Sequence, residues 1–345
     1  MKPNHIASLD GLRAIAALSV LFQHIVQQIY PDFFRIIGVN PSWLGWAGVT
    51  LFFLLSGFCI HYPQALLEEE QGKSKLNNIK FAKHRIFRIY PAYVVAIIIS
   101  LIVGHFVKTN LLNGSVNVAD ISAHIMFIHN LSPITFYSIN AVFWTIAIEV
   151  QFYILYAIFY KYFRFTFKET FFLMVSALIW YFFVSILFTD SWRFLLQLCF
   201  ISTFWIWHLG ATLARYYCQN SVNLKFHKYY FIGVMIAALT TAFVDPVLLK
   251  LHIIYWIGPI IFAVLLWQLI AINTPKLLND IGKISYSLYL LHPVAIAFAL
   301  SFSGYIVPLA AVFFALILAT LSYLFIEKPF IALKNIKFGV LWKSS

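Results

Sequence analysis

Charged side chains are scarce in this 345-residue chain. They make up 10% of it, against about 25% in soluble domains. With 62% of residues hydrophobic, a single water-soluble core cannot hide the apolar surface. These proportions exclude a soluble enzyme, a disordered chain and a coiled coil. Cysteine is scarcer still: Cys59, Cys199 and Cys218 lie in or near apolar runs, with neither metal-ligand spacing nor a disulfide framework. Alternating segments of about ten residues are missing, which excludes a transmembrane barrel. No small-residue cleavage site follows the first apolar run, whose start carries Asp10 and Arg13, so no cleavable signal peptide is expected. Internal repeats, low-complexity stretches and an appended soluble domain are lacking too.

What remains is a succession of apolar runs of about 20 residues, the length that spans a bilayer as a helix. They fall at roughly 8–30, 45–63, 84–107, 139–161, 170–188, 194–217, 229–246, 251–272, 282–302 and 304–326. Residues 119–131 are apolar but too short to span, which suits a re-entrant or surface helix. The net charge of +12 points to a membrane rather than to nucleic acid, because the basic residues sit in short loops between apolar runs. With the N-terminus inside, only Arg35, Lys108, Arg193 and Lys250 of the 24 lysines and arginines fall outside, as the positive-inside rule requires. The expectation is an all-α polytopic membrane protein, one domain of ten transmembrane helices, with both termini cytoplasmic.

Ionisable groups within such spans are costly and mark function. Arg13 and His24 are eleven residues apart, about three turns, so they share a helix face some 16 Å apart along the axis. Glu149 lies twelve residues before Lys161, about 18 Å above that end of its span. His292, nine residues after Lys283, comes out about 14 Å deep. His24, Glu149 and His292 are therefore expected in one layer, with Arg13 below at the cytoplasmic mouth. A lone membrane histidine is commonly a packing residue, but a buried carboxylate must be paired or protonated. Arg85 and Arg88, at i and i+3, form a guanidinium pair on one face. Such a pair suits phosphate, and by composition alone it equally suits positive-inside anchoring. Asp10 can cap the first helix or hold Arg13. Trp144 can anchor at the interface or bind an acceptor. Gly57 reads as a packing notch, Glu68-Glu69-Glu70 as a solvated loop, and Pro293 as a residue that loosens the helix beside His292.

These residues resemble the membrane acyltransferase-3 family nearly end to end. Leu9-Asp10-Gly11-Leu12-Arg13-Ala14 with His24 is similar to its Arg-x10-His signature, Phe52 to Phe58 to its FFxxSGF element, and Arg85-Ile86-Phe87-Arg88 to its RxxR motif. Phe143 to Tyr153 is similar to its Trp-(Ser/Thr)-x3-Glu stretch, and Ile284 to His292 and Ile326 to Phe330 resemble its closing elements. Ala14 stands where the family often has Gly, and the SGNH-type domain of some members is missing.

The resemblance implies an O-acyltransferase of the bacterial inner membrane. Acyl-CoA, acetyl-CoA first, is its co-substrate rather than a bound cofactor, and a glycan or lipid-linked glycan is its acceptor, with membrane lipid around it. Neither metal nor nucleic acid is implied. It implies His24 as base or acyl carrier, Glu149 and Arg13 beside it in catalysis, and Arg13, Arg85 and Arg88 on the donor. Asp10, Ser56, Trp144, Tyr286 and His292 are expected to bind acceptor or support the site. The competing reading is a proton-coupled transporter built on the same buried His and Glu, against which stands the lack of repeats and paired broken helices.

Overall fold

A computed structural model describes residues 3, 5–30, 42–72, 75–107, 109–220, 256–270 and 272–333. Their regular structure is helical, apart from one isolated bridge between Leu112 and Asn140. The helices are α1 (Ala7–Ile29), α2 (Ser42–Gln71), α3 (Asn78–Phe106), α4 (Val118–Ile125), α5 (Trp144–Phe159), α6 (Phe167–Leu187), α7 (Asp190–Leu198), α8 (Phe200–Gln219), α9 (Gly258–Leu269), α10 (Lys276–Lys283), α11 (Ser285–Ala299), α12 (Ile306–Ser322) and α13 (Lys328–Leu333). Backbone groups in lipid must bond within their own segment, and these helices supply that.

Six stretches are long and apolar enough to cross a membrane: Ala7–Ile29, Leu44–Gln71, Asn78–Phe106, Phe167–Leu187, Asp190–Gln219 and Ile306–Leu333. The pair α10 and α11, bent by 75° at their junction, makes a seventh if it is one span. Helices α5 and α9 are apolar but shorter. The expected span 229–246, and the start of 251–272, lie outside the described residues. Large apolar side chains stay exposed on the long helices, among them Ile179, Ile186, Leu309 and Phe313, as lipid-facing surface must. The chain is a multi-pass membrane protein.

One local expectation changes, and another gains its contacts. Glu68-Glu69-Glu70 is no loop: α2 runs on to Gln71, because Glu68 meets the Tyr160 hydroxyl and lies 3.6 Å from Arg215. The 119–131 segment, expected as a re-entrant or surface helix, docks on α3 and α5. Asn117 and Asp120 form a capping box that starts α4. The chain then turns at Phe127, with φ of 55°. The Phe127 ring stacks on Tyr93 of α3 at 4.7 Å, and its carbonyl accepts from Gln151 of α5 at 3.3 Å.

The core centres on α2 and α8. A Cβ on Gly57 would lie 1.8 Å from the Trp207 carbonyl oxygen, and one on Gly210 1.9 Å from that of Leu54. The notch read at Gly57 is thus one half of a reciprocal backbone contact. Around it pack α1, which also meets α10 and α11, and the α11–α12 pair. This bundle presents the inner faces of α1, α2, α3, α5 and α11 to one another, and two cavities lie between them.

Candidate active site

The proximal cavity lies toward the end where α1 begins. It is narrow, ≈ 80 Å³, and is lined by Arg13, Ser56, Cys59, Arg85, Arg88, Glu149, Tyr153, Ser285, Tyr286 and Tyr289 among others. Each side chain arrives from a helix whose register is fixed elsewhere. Asp10 lies inside α1 rather than at its cap, which is Ile6 with no side-chain bond. Its Oδ1 sits 3.7 Å from Arg13 and its Oδ2 bonds the His5 ring at 2.9 Å, so the partner role holds. Arg85 reaches upward on its long stem, its guanidinium 5.8 Å from the rings of both Phe81 and Tyr153. Glu149 Oε1 accepts from Ser56 Oγ at 2.6 Å and from the Tyr153 hydroxyl at 2.5 Å. The Trp207 indole donates to the same Ser56 oxygen at 3.3 Å. Tyr286 donates to the Ile89 carbonyl at 2.9 Å, which ties α11 to α3. Three guanidiniums against one lining carboxylate leave the cavity attractive to anions, and phosphate is the anion that arginine forks match best.

The distal cavity is larger, ≈ 510 Å³, and is lined by His24 and Trp144 among others, within the ~300–1,000 Å³ of small-molecule sites. Val49 and Tyr289 line both cavities and stand at their junction. Trp144 is buried, stacked on Phe136 at 5.4 Å and tilted against Trp46 at 5.6 Å. It is part of a wall, not a membrane-interface anchor.

His24 and His292 meet here, with a ring nitrogen contact of 3.0 Å between His292 Nε2 and His24 Nδ1. Their tautomers follow from the backbone. Pro293 follows His292 inside α11 and has no N–H to give to the Tyr289 carbonyl one turn back. His292 Nδ1 fills that vacancy at 2.8 Å. A carbonyl only accepts, so His292 Nδ1 carries the hydrogen. In the neutral ring Nε2 is then bare and accepts from His24 Nδ1–H. The nitrogen of His24 left with a free lone pair is Nε2, on a ring that lines the distal cavity.

The structure therefore joins His24 with His292, and gathers Glu149 with Arg13, Arg85 and Arg88, on opposite sides of Tyr289 and Val49. His24 and Glu149 line different cavities, because axial rise sets depth but not azimuth. Glu149 projects from α5 toward Ser56 of α2, whereas His24 projects from α1 toward α11. Sequence reasoning passed over Tyr153, Cys59 and Glu327. Tyr153 and Cys59 carried a usable signal: one turn after Glu149 and one after Ser56, they lie on the same helix faces. Glu327 is buried and accepts from Ser287 Oγ at 2.6 Å and Ser287 N at 3.2 Å, securing the first turn of α11.

The described residues of this multi-pass bundle thus place three arginines around one cavity and His24 on the wall of the next. The chain belongs to the acyltransferase-3 family: a family model described as an acyltransferase domain matches residues 6–327. It is 27% identical over 390 residues to "Putative O-acetyltransferase SACOL0978" of Staphylococcus aureus (strain COL), covering 95% of this chain and 58% of that protein. It is also 27% identical to "Putative O-acetyltransferase SAR0937" of Staphylococcus aureus (strain MRSA252), covering 100% and 60%. To "O-acetyltransferase OatA" of Staphylococcus aureus (strain NCTC 8325 / PS 47) it is 28% identical over 165 residues, 45% of this chain and 24% of that one. The chain thus spans about 60% of the length of the first two of these relatives. No solved structure matches it.

Proposed function

We propose that the chain is an O-acyltransferase of the cytoplasmic membrane. It moves an acyl group, acetyl first, from cytoplasmic acyl-CoA to a hydroxyl of a surface glycan or lipid-linked glycan. The observation that carries this reading is the adjacency of the two cavities at Val49 and Tyr289, arginines on one side and a bare imidazole nitrogen on the other. Arg85 and Arg88, with Arg13, hold the phosphates of CoA. The narrow proximal cavity takes the extended acyl-pantetheine arm, and the nucleotide stays at the mouth. The acceptor hydroxyl gives its proton to His24 Nε2 as its oxygen attacks the thioester carbonyl. The new C–O bond forms, the C–S bond breaks, and the imidazolium returns the proton to the CoA thiolate. His292, accepting from His24 Nδ1–H, stabilises that imidazolium. Glu149 offsets guanidinium charge in the proximal cavity and holds Ser56 and Tyr153 in place.

The test is acyl transfer by detergent-purified protein. His24→Ala is expected to retain acyl-CoA binding and to lose about 10²–10⁴-fold in transfer rate, the usual loss of a general base. Wild-type turnover in His24→Ala would remove it from the mechanism. An acyl-enzyme trapped without acceptor would make His24 a carrier rather than a base. Proton-coupled flux without acyl-CoA consumption would favour the transporter.

A further inference from the structure

Proton removal by His24 readies the acceptor, but the thioester carbonyl must also take on charge. As the new C–O bond forms, its oxygen becomes an alkoxide inside an apolar bundle, where a donor aimed at it counts for far more than in water. The steps described above leave that oxygen without a donor. Its place follows from the two cavities. The thioester comes up through one and His24 lines the other, so the reacting carbon lies at their junction. Among the described residues, Val49 and Tyr289 line both cavities, and of these two only Tyr289 carries a side-chain donor.

The Tyr289 ring is buried, edge-on to Phe52 at 5.6 Å and to His292 at 5.8 Å. Its hydroxyl belongs to a triangle at the start of α5. Thr145 Oγ1 can donate to the Tyr289 hydroxyl at 2.8 Å or to the Val142 carbonyl at 2.9 Å. Tyr289 donates to the same carbonyl at 3.3 Å. Each hydroxyl owns one hydrogen, so two hydrogens serve three contacts. The longest, and so the weakest, is the one Tyr289 makes. If the Tyr289 hydrogen leaves the Val142 carbonyl, the Thr145 hydrogen can fill the place at 2.9 Å. The phenol can therefore turn without leaving a buried carbonyl bare, the usual cost of such a move.

We infer that Tyr289 is the oxyanion donor of the transfer step and that Thr145 is its positioning residue. The acceptor oxygen attacks the carbonyl carbon, and the C=O π pair moves to the carbonyl oxygen. The Tyr289 O–H turns from the Val142 carbonyl to that oxyanion, and Thr145 turns to Val142 in its place. The pair then returns to form the ester C=O, the C–S bond breaks, and the phenol swings back. Tyr289 keeps its proton throughout. The proton of the acceptor still passes through His24 to the CoA thiolate. Packing between Phe52 and His292 accounts for the Tyr289 ring, but not for a hydroxyl at the junction with a ready substitute for its own bond.

The inference rests on the acyltransferase reading, and the experiment separates the two. Detergent-purified protein is given acetyl-CoA, and CoA release is followed with water as acceptor and again with a β-1,4-linked N-acetylglucosamine tetrasaccharide. Tyr289→Phe keeps the ring and removes only the hydroxyl. It is expected to lose about 10²–10³-fold in kcat, the usual loss of one oxyanion donor, with the acetyl-CoA KM unchanged. The loss should be the same for every acceptor turned over, because each attack passes through the same oxyanion. Binding of S-ethyl-CoA, which has no carbonyl, should not change. Thr145→Val leaves the Val142 carbonyl to Tyr289 alone, and should lower kcat about tenfold, the loss of one hydrogen bond. The double variant should be no slower than Tyr289→Phe, since Thr145 acts through the phenol. Unaltered kcat in either single variant would overturn the inference. So would a rise in the acetyl-CoA KM without a fall in kcat, or a loss confined to the tetrasaccharide. Should Tyr289→Phe fail to fold, Thr145→Val decides alone. No CoA release by the unmodified protein with either acceptor would instead overturn the acyltransferase reading, and this inference with it.

Discussion

His292-Pro293 shows how little sequence is needed to fix the proton of a buried imidazole. The proline withholds one N–H, the freed Tyr289 carbonyl fixes His292, and His292 fixes the proton on His24. Pro293→Ala returns a competing N–H to Tyr289 and should release His292. The expected outcome is a fall in kcat of at least tenfold, within the ~10²–10⁴ that a positioned base contributes, with the acyl-CoA KM unchanged. Steady-state kinetics on purified variants would show it, and an unaltered kcat would dissolve the relay. On the other side of Tyr289, Arg85→Ala and Arg88→Ala should each raise the acyl-CoA KM about tenfold or more, a charge-assisted bond being worth ~1.5–3 kcal/mol. Lys at either position should rescue only in part, since the planar fork is gone. Glu149→Gln should lower kcat and shift the acyl-CoA KM together, because Glu149 lines the same cavity as Arg85 and Arg88. A donor KM that stays put in Glu149→Gln would detach it from that cavity's electrostatics. Arg13, His24, Arg85, Arg88, Glu149 and His292 were legible because polar groups stand out in apolar runs. Tyr289 was not, since a tyrosine in an apolar run looks like ordinary packing until a cavity opens on either side of it.

The helices were legible as apolar length, but the contacts between them were not. Nothing in Phe52 to Phe58 says that Gly57 faces a glycine on another helix. The reciprocal contact of Gly57 and Gly210 leaves no room for a methyl on either, and backbone, unlike a side chain, cannot rotate aside. Gly57→Ala should therefore destabilise the bundle by ~1–3 kcal/mol or more, seen as a lower melting temperature of the purified protein. An unchanged melting temperature would mean that α2 and α8 separate freely. The 119–131 segment was half-legible: its length excluded a span, but its docking on Tyr93 and Gln151 needed the fold. Within it, burial and then the neighbouring His124, stacked at 3.9 Å, push the His129 imidazole down to about 3 from its usual 6.5. The folded segment thus favours the neutral ring. Its contribution is complete above pH ~6.5 and is lost as pH falls from there toward 3. Hydrogen exchange across 118–131, corrected for intrinsic rates, should quicken between pH 7 and 5, and less so in His129→Gln. Equal acceleration in both would clear His129 of that role.

The two cavities turn the orientation of the bundle into a chemical question. Arginines line the cavity at the start of α1 and His24 lines the other, so the proposed use of acyl-CoA requires the arginine end to face the cytoplasm. On the sequence expectation of ten spans, only Arg35, Lys108, Arg193 and Lys250 of 24 basic residues fall outside, which favours that orientation. One span more or fewer would swap the side of every later loop and scramble that bias. Hydropathy joins what packing divides: the run 194–217 is two helices broken at Cys199, and 282–302 is entered through a 75° bend. Two exposed positions decide the matter. Glu70 lies in the last turn of α2, on the arginine side, and Ile134, 82% exposed, lies in the long connection before α5. In a background without native cysteines, Ile134→Cys should react with a membrane-impermeant maleimide on intact cells. Glu70→Cys should react only after the membrane is opened. Labelling of both from outside would break the alternation of spans between them. Labelling of Glu70→Cys alone would invert the bundle and place its phosphate-binding arginines away from the CoA pool. Either pattern would leave the acyl-CoA reading without a donor, whatever the chemistry of His24.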